Sequence, residues 1–246
     1  KGPSLTGNLD PNSWEKFATN NTLSPVYEAI KLTRKQLPFD KSLIGFCGAP
    51  WTLLAYMLNG RNQHEFANAR MAAIAFDAKY QAQLEIVTQA VITHAERQIA
   101  AGADVIMLFD SWAGLLGRQA YLNSVIKPLQ RITNALKTQV PVIVFMRSSS
   151  QHLQHWHQVP ADAYGVDFAA NIQTVHQALP DAVLQGNIDP AILLGPNSVI
   201  EQSIRELIQQ PFSNQLIINL GHGVLPQTNP EAIALLLNTL TQTTRA

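Results

Sequence analysis

The sequence predicts an α/β protein of the parallel (β/α)8, TIM-type barrel class, and three observations carry that expectation. Short apolar runs recur along the chain, a helical pattern follows each, and each run ends at residues suited to chemistry. Leu43–Phe46 stops at Cys47-Gly48-Ala49-Pro50, Val105–Phe109 at Asp110-Ser111, and Val142–Phe145 at Met146-Arg147-Ser148. Tyr164–Val166 stops at Asp167, Val183–Gln185 at Gly186-Asn187-Ile188-Asp189, and Leu216–Leu220 at Gly221-His222-Gly223. A closed barrel has eight strands and six are readable, so the barrel is expected to be incomplete, with about the first two strands missing. The runner-up, an open doubly wound sheet, wants a Gly-rich turn after its first strand. Here Pro50-Trp51 stands where a phosphate-binding backbone would have to approach closely.

The elements follow in order. The polar opening, with Gly2-Pro3, Asp10-Pro11 and Ser24-Pro25, begins as loop, and helices are expected over Trp14–Ala18 and Val26–Gln36. Pro50 suits a first helical turn and opens a helix to Leu58, ended by Asn59-Gly60. Ala67 to Ala100 has a helical period at Leu84, Val87, Val91 and Ala95, with a break expected near Asp77. Gln119–Thr138 is expected to be helical with a kink or break at Pro128. Gln151–Gln158, Asn171–Leu179, Ile200–Gln209 and Pro230–Leu240 supply the remaining helices, and Asp189-Pro190 and Asn229-Pro230 are capping starts. No linker, low-complexity tract or further repeat interrupts the alternation, so residues 1–246 are expected to form a single domain.

Composition narrows the function. The formal net charge is zero, which gives no basis for binding nucleic acid or an anionic membrane. Charged residues are only 14%, below the usual quarter or so, which fits a surface partly covered by a partner. The single Cys47 rules out an intramolecular disulfide and a zinc site built from several thiolates, and fits a reducing, cytoplasmic compartment. No apolar run approaches the roughly 18 residues of a membrane span. Lys1-Gly2-Pro3-Ser4 is unlike a signal peptide, and the native start is expected to lie outside this chain.

Several strand ends carry candidate chemistry. Between two glycines that let the backbone turn sharply, His222 is uncovered at a strand end and suited to proton transfer near neutral pH. The Ser111 hydroxyl after Asp110 could hydrogen-bond a carboxylate or an N–H, or Asp110 could merely cap the turn with Ser111 solvating it; the residues leave that even. Tyr56, on the helix opened by Pro50, could present its hydroxyl to a ligand or be a buried aromatic with one hydrogen bond. His152, His155 and His157 read as a solvated helix without a carboxylate to complete a metal set. Asp189 reads as a helix cap, and Cys47 has no thiol partner for redox or metal chemistry.

These motifs resemble a family. Ile44–Leu53 (IGFCGAPWTL) with Tyr56-Met57 is similar to the uroporphyrinogen decarboxylases, as are Gly102-Ala103-Asp104 and Phe109-Asp110-Ser111-Trp112-Ala113-Gly114. So are Gln185-Gly186-Asn187-Ile188-Asp189-Pro190 and Asn219-Leu220-Gly221-His222-Gly223. The resemblance implies a distorted barrel with a deep cleft at the strand carboxyl ends, usually a homodimer, working without cofactor or metal. It implies removal of four acetate carboxyl groups from uroporphyrinogen to give coproporphyrinogen in haem and related tetrapyrrole synthesis. It assigns Tyr56, Ser111 and His222 to substrate contact and Phe109 to the wall of the pocket. The family's arginine-rich motif and central aspartate have no counterpart here and are expected upstream of Lys1, so this chain alone is expected to be weakly active or inactive. Met146-Arg147-Ser148-Ser149-Ser150 stands in place of a Lys- and Gly-rich turn, and Asp167-Phe168 in place of Asp-Trp. Arg147 keeps a positive charge for carboxylates. The alternatives are a corrinoid-linked methyltransferase on the same barrel, which would need a zinc set that one Cys does not supply, or a non-catalytic tetrapyrrole-binding fragment.

Overall fold

Each of the six apolar runs forms a parallel strand. In the computed structural model, which describes residues 21–59 and 65–243, they are β1 (Ile44–Gly48), β2 (Val105–Asp110), β3 (Val142–Met146), β4 (Ala163–Gly165), β5 (Val183–Ile188) and β6 (Leu216–Leu220). Four of these strands run past the expected end: β1 continues through Cys47-Gly48 and β5 through Gly186-Asn187-Ile188, while β2 and β3 each gain one residue. The strand ladder thus takes in Cys47, Asp110, Met146 and Asn187, which sequence reading placed in the turns, while Ser111, Arg147, Asp167 and His222 stay beyond it. By contacts the chain divides into two compact units, 1–162 and 163–246.

In the first unit β2 pairs in parallel with β1 and with β3, setting Phe46 opposite Met107 and Phe109 opposite Phe145. Its helices are α1 (Ser24–Gln36), α2 (Pro50–Asn59), α3 (Ala67–Ala75), α4 (Ala78–Ala100), α5 (Arg118–Tyr121) and α6 (Lys127–Leu136). The expected break falls at Phe76-Asp77. Phe76 takes a left-handed conformation (φ 46°), and the Asp77 side chain accepts the Tyr80 N–H to cap α4. Pro128 does not break its helix. A π-helical turn, Leu122–Ile126, joins α5 to α6 just before it, and this wider winding absorbs the missing proline N–H. The core lies between strands and helices, where Ile106, Leu108, Val144, Trp51, Leu54 and Ile132 are sealed from solvent.

In the second unit β5 pairs in parallel with β4 and with β6. Its helices are α7 (Ile172–Ala178), α8 (Asn197–Ile208) and α9 (Pro230–Thr243). Both residues that precede a proline are caps as expected: Asp189 accepts the Ala191 N–H at 2.9 Å at the start of a 3-10 helix, Pro190–Leu194, and Asn229 accepts the Glu231 N–H at 3.0 Å at the start of α9. On α8 the buried side chains are Ile200, Ile204 and Leu207, one stripe at helical spacing. The helix expected over Trp14–Ala18 lies outside the described residues. Among the described residues no helix is long and apolar enough to cross a membrane.

The histidine segment corrects a sequence expectation. Residues Ser150–Gln158 form a 3-10 helix, whose three-residue period puts His152 and His155 on one side, and that side is buried rather than solvated. His152 Nε2 lies 2.9 Å from the Leu116 carbonyl and its ring stacks on Tyr121 at 4.2 Å. Only His157 is exposed.

Candidate active site

Parallel strands present their carboxyl ends together within each unit, and in the first unit that end is built by β1, β2, β3 and the start of α2. The Ala49 amide donates to the Phe109 carbonyl at 2.8 Å, carrying the β1–β2 ladder into α2. Phe109 is half-buried and stands edge-on to Phe46 at 6.0 Å and to Phe145 at 5.9 Å. Ser111 and Trp112 follow in a turn. Tyr56, half-buried one turn beyond Thr52, stands edge-on to Trp112 at 6.2 Å and to Phe66 at 5.6 Å. The first unit therefore brings Tyr56, Phe109 and Ser111 to one end of its sheet.

The turn after β2 is locked against the turn after β3. The Arg147 amide donates to the Asp110 carbonyl and the Gly114 amide to the Arg147 carbonyl, each at 3.1 Å. A Cβ on Gly114 would lie 1.9 Å from the Ser148 carbonyl oxygen, so only glycine permits this approach. Arg147 is half-buried beside it, a cation at the same sheet end.

Asp110 is a strongly perturbed ionisable group at this end. It is 1% exposed and its Oδ1 accepts the Thr52 hydroxyl at 2.6 Å, while Oδ2 has no hydrogen-bond partner. Burial pushes its carboxyl up to about 7, against the opposing pull of the Thr52 hydroxyl and the Trp112 and Thr52 amides. Asp110 reaches into the helix layer to Thr52, with the Trp112 amide of its own turn close by. Sequence reasoning passed over Thr52 altogether. Its signal was a hydroxyl within the otherwise apolar Pro50-Trp51-Thr52-Leu53-Leu54-Ala55 run, four residues before Tyr56.

In the second unit His222 follows β6 and is exposed. The Gly221 amide donates to the Ile188 carbonyl at 2.7 Å, and a Cβ on Gly221 would meet the Phe168 nitrogen at 2.2 Å. Gly223 has open space around it and so does not share that requirement. The sharp-turn rationale for the glycine pair therefore gives way to a close approach at one of them. Asp167, buried, accepts the Ala169 amide at 2.9 Å, and Asn187 donates to the Ala170 carbonyl at 2.8 Å. These bonds shape the loop against which Gly221 packs. Asp189 serves as the helix cap described above.

Among the described residues no group of three or more His, Cys, Asp or Glu is placed to hold a metal ion. Cys47 is buried, and burial pushes its thiol up to about 12, far from a reactive thiolate.

Parallel strands alternating with helices, with aromatic, hydroxyl and cationic side chains at the strand carboxyl ends of the first unit and an imidazole after a strand of the second, fit the TIM-barrel class of enzymes. Solved structures agree on the fold. A methyltransferase from Methanosarcina mazei superposes with a TM-score of 0.78 at 20% identity, covering 92% of this chain and 68% of its own. A B12-independent methionine synthase from Shewanella sp. gives 0.61 at 13% identity, over 89% and 66%. At these identities the likeness is one of fold alone. The family is shown by sequence: the model of the uroporphyrinogen decarboxylase (URO-D) family matches residues 1–243, and the chain belongs to that family. The uroporphyrinogen decarboxylase of Rickettsia felis is 34% identical over 88% of this chain and 64% of its own length. That of Geobacter sp. is 37% identical over 84% and 61%, and that of Orientia tsutsugamushi 36% over 91% and 67%. Three of the most similar curated relatives are thus spanned by this chain over about two thirds of their length or a little less.

Proposed function

We propose that the protein decarboxylates the four acetate side chains of uroporphyrinogen to give coproporphyrinogen. Family membership across residues 1–243 carries this reading. In this proposal Tyr56, Ser111 and His222 hold the substrate through hydrogen bonds, Phe109 lines the pocket, and Arg147 draws carboxylates. Both units belong to one barrel domain, and the protein works as a homodimer in the cytoplasm, without cofactor, metal or nucleic acid.

The chemistry asks little of a protein beyond protons and placement. A proton added to the pyrrole α-carbon next to the one bearing the acetate makes the ring an electron acceptor. The bond from the methylene to the carboxyl carbon then breaks, carbon dioxide leaves, and its electron pair enters the ring. A second proton taken up at the methylene makes the methyl group, and loss of the first restores the pyrrole. Groups that stabilise the protonated ring and hold the carboxylates therefore lower the barrier. His222, on an exposed turn, is suited to hold substrate and to relay protons.

The test is anaerobic turnover of uroporphyrinogen by the natural protein, beside its His222→Asn variant and this 246-residue chain alone. The natural protein is expected to form coproporphyrinogen, and the variant to lose about tenfold or more in kcat/KM. This chain alone is expected to be weakly active or inactive, since it spans about two thirds of its relatives. No turnover by the natural protein would end the proposal. An unchanged His222→Asn variant would remove that residue's role.

A further inference from the structure

Alternation along β2 divides its carboxyl end between two faces. Phe109 joins Phe46 and Phe145 on one. Asp110 turns the other way, with buried Ile106 and Leu108, toward the helices. There it meets Thr52 on the first turn of α2. Thr52 has one proton to give and gives it to Asp110 Oδ1 at 2.6 Å, while its oxygen accepts the Trp112 amide at 3.2 Å. The neighbouring Trp51 indole N–H donates to the Trp112 carbonyl at 2.9 Å. Both backbone polar groups of Trp112 are thus held by the start of α2. The Trp112 ring in turn stands edge-on to Tyr56 and packs on Phe66 at 4.7 Å. Thr52 and Tyr56, four residues apart, lie on the same side of α2.

We propose that Asp110 and Thr52 are positioning residues whose bond ties the first turn of α2 to the end of β2 and so sets Tyr56 relative to Ser111. The inference deepens the decarboxylase reading and takes its substrate from it. Neither residue reaches the substrate: Thr52 is 5% exposed and Asp110 1%, and both face the helix layer. A buried carboxyl with one oxygen unpartnered is a costly way to hold a helix to a strand, because apolar packing would do so more cheaply. What the pair supplies is direction. Its two hydrogen bonds, with the indole bond beside them, fix the turn that carries Ser111 and the ring that seats Tyr56.

The test uses Thr52→Val, which keeps the shape and removes the hydroxyl, and Thr52→Ser, which restores it, both in the natural protein. Two readouts are taken: kcat and KM for uroporphyrinogen, and the fluorine spectrum of protein labelled with 3-fluorotyrosine, with the Tyr56 resonance assigned by Tyr56→Phe. Thr52→Val is expected to lower kcat about tenfold or more with KM changed less, and Thr52→Ser to stay within about threefold of wild type. The Tyr56 resonance is expected to move in Thr52→Val and to return in Thr52→Ser. Thr52→Val with the Tyr56 resonance unmoved would overturn the proposal. So would Thr52→Ser as impaired as Thr52→Val, since packing rather than the hydroxyl would then be at work. If wild type turns over no uroporphyrinogen, the functional reading fails by itself, and the fluorine spectrum still decides the brace.

Discussion

Asp110 shows how one residue can be half legible. Its place after an apolar run marks it as a strand-end carboxylate, yet the run does not say which face it takes, and a single-residue alternation decides between cleft and core. The structure places it in the core, near the Tyr80 and Tyr121 phenols, whose ionisation is disfavoured first by burial and further by the Asp110 charge. Its raised pKa has a definite sign for stability. Between the ordinary 3.8 and about 7 the unfolded chain loses this proton and the native chain keeps it, so stability falls as pH rises through that window. Asp110→Asn abolishes the titration and leaves the acceptor for Thr52. Measured as melting temperature, the variant is expected to gain on wild type from pH 5 to pH 8, whatever its offset at pH 5. Parallel curves across that range would show that Asp110 does not titrate there.

At the scale of the element, strand cores were the readable part. Val105 and Val142 start β2 and β3 as expected, because a buried parallel strand is a continuous apolar run, and Leu216–Leu220 matches β6 at both ends although none of its residues is buried. Ends were less legible: Gly186-Asn187-Ile188 reads as a turn by composition, yet ladder pairing with Ile218, Asn219 and Leu220 keeps it in β5. The π-helical turn before Pro128 left no trace, since a five-residue change of winding hardly disturbs the apolar period. Nor does a run of histidines reveal 3-10 winding, which decided the burial of His152 and His155. The glycines around His222 give a prediction at this scale. Gly221→Ala forces a Cβ against the Phe168 backbone and is expected to cost about 1–3 kcal/mol, as overpacking does. Gly223→Ala, with open space, is expected to stay within about 0.5 kcal/mol. Denaturant unfolding of the two variants separates them, and equal losses would contradict the close approach.

For the molecule as a whole, the alternation of strand and helix was enough to give the class, while the division of contacts at Asp162 was not visible in it. Nothing in composition changes there, since the boundary is one of contact density rather than of linker chemistry. Among the described residues β1 pairs on one side only, with Ile44 and Phe46 exposed; Phe46 is 65% exposed. The Gln98 side chain blunts that edge at one point, accepting the Phe46 amide at 3.0 Å and donating to its carbonyl at 3.1 Å. Phe39, nearby in sequence, is 99% exposed as well. These exposed apolar side chains are expected to make the protein self-associate in sedimentation at micromolar concentration. A monodisperse monomer would refute that. The pairing of β1 also bears on synthesis. Ile44 waits for Val105, roughly sixty residues later, so at about 5–20 residues per second the nascent β1 spends on the order of 3–12 s without its neighbour. That interval makes the emerging chain a client for whatever shields apolar segments at the ribosome exit.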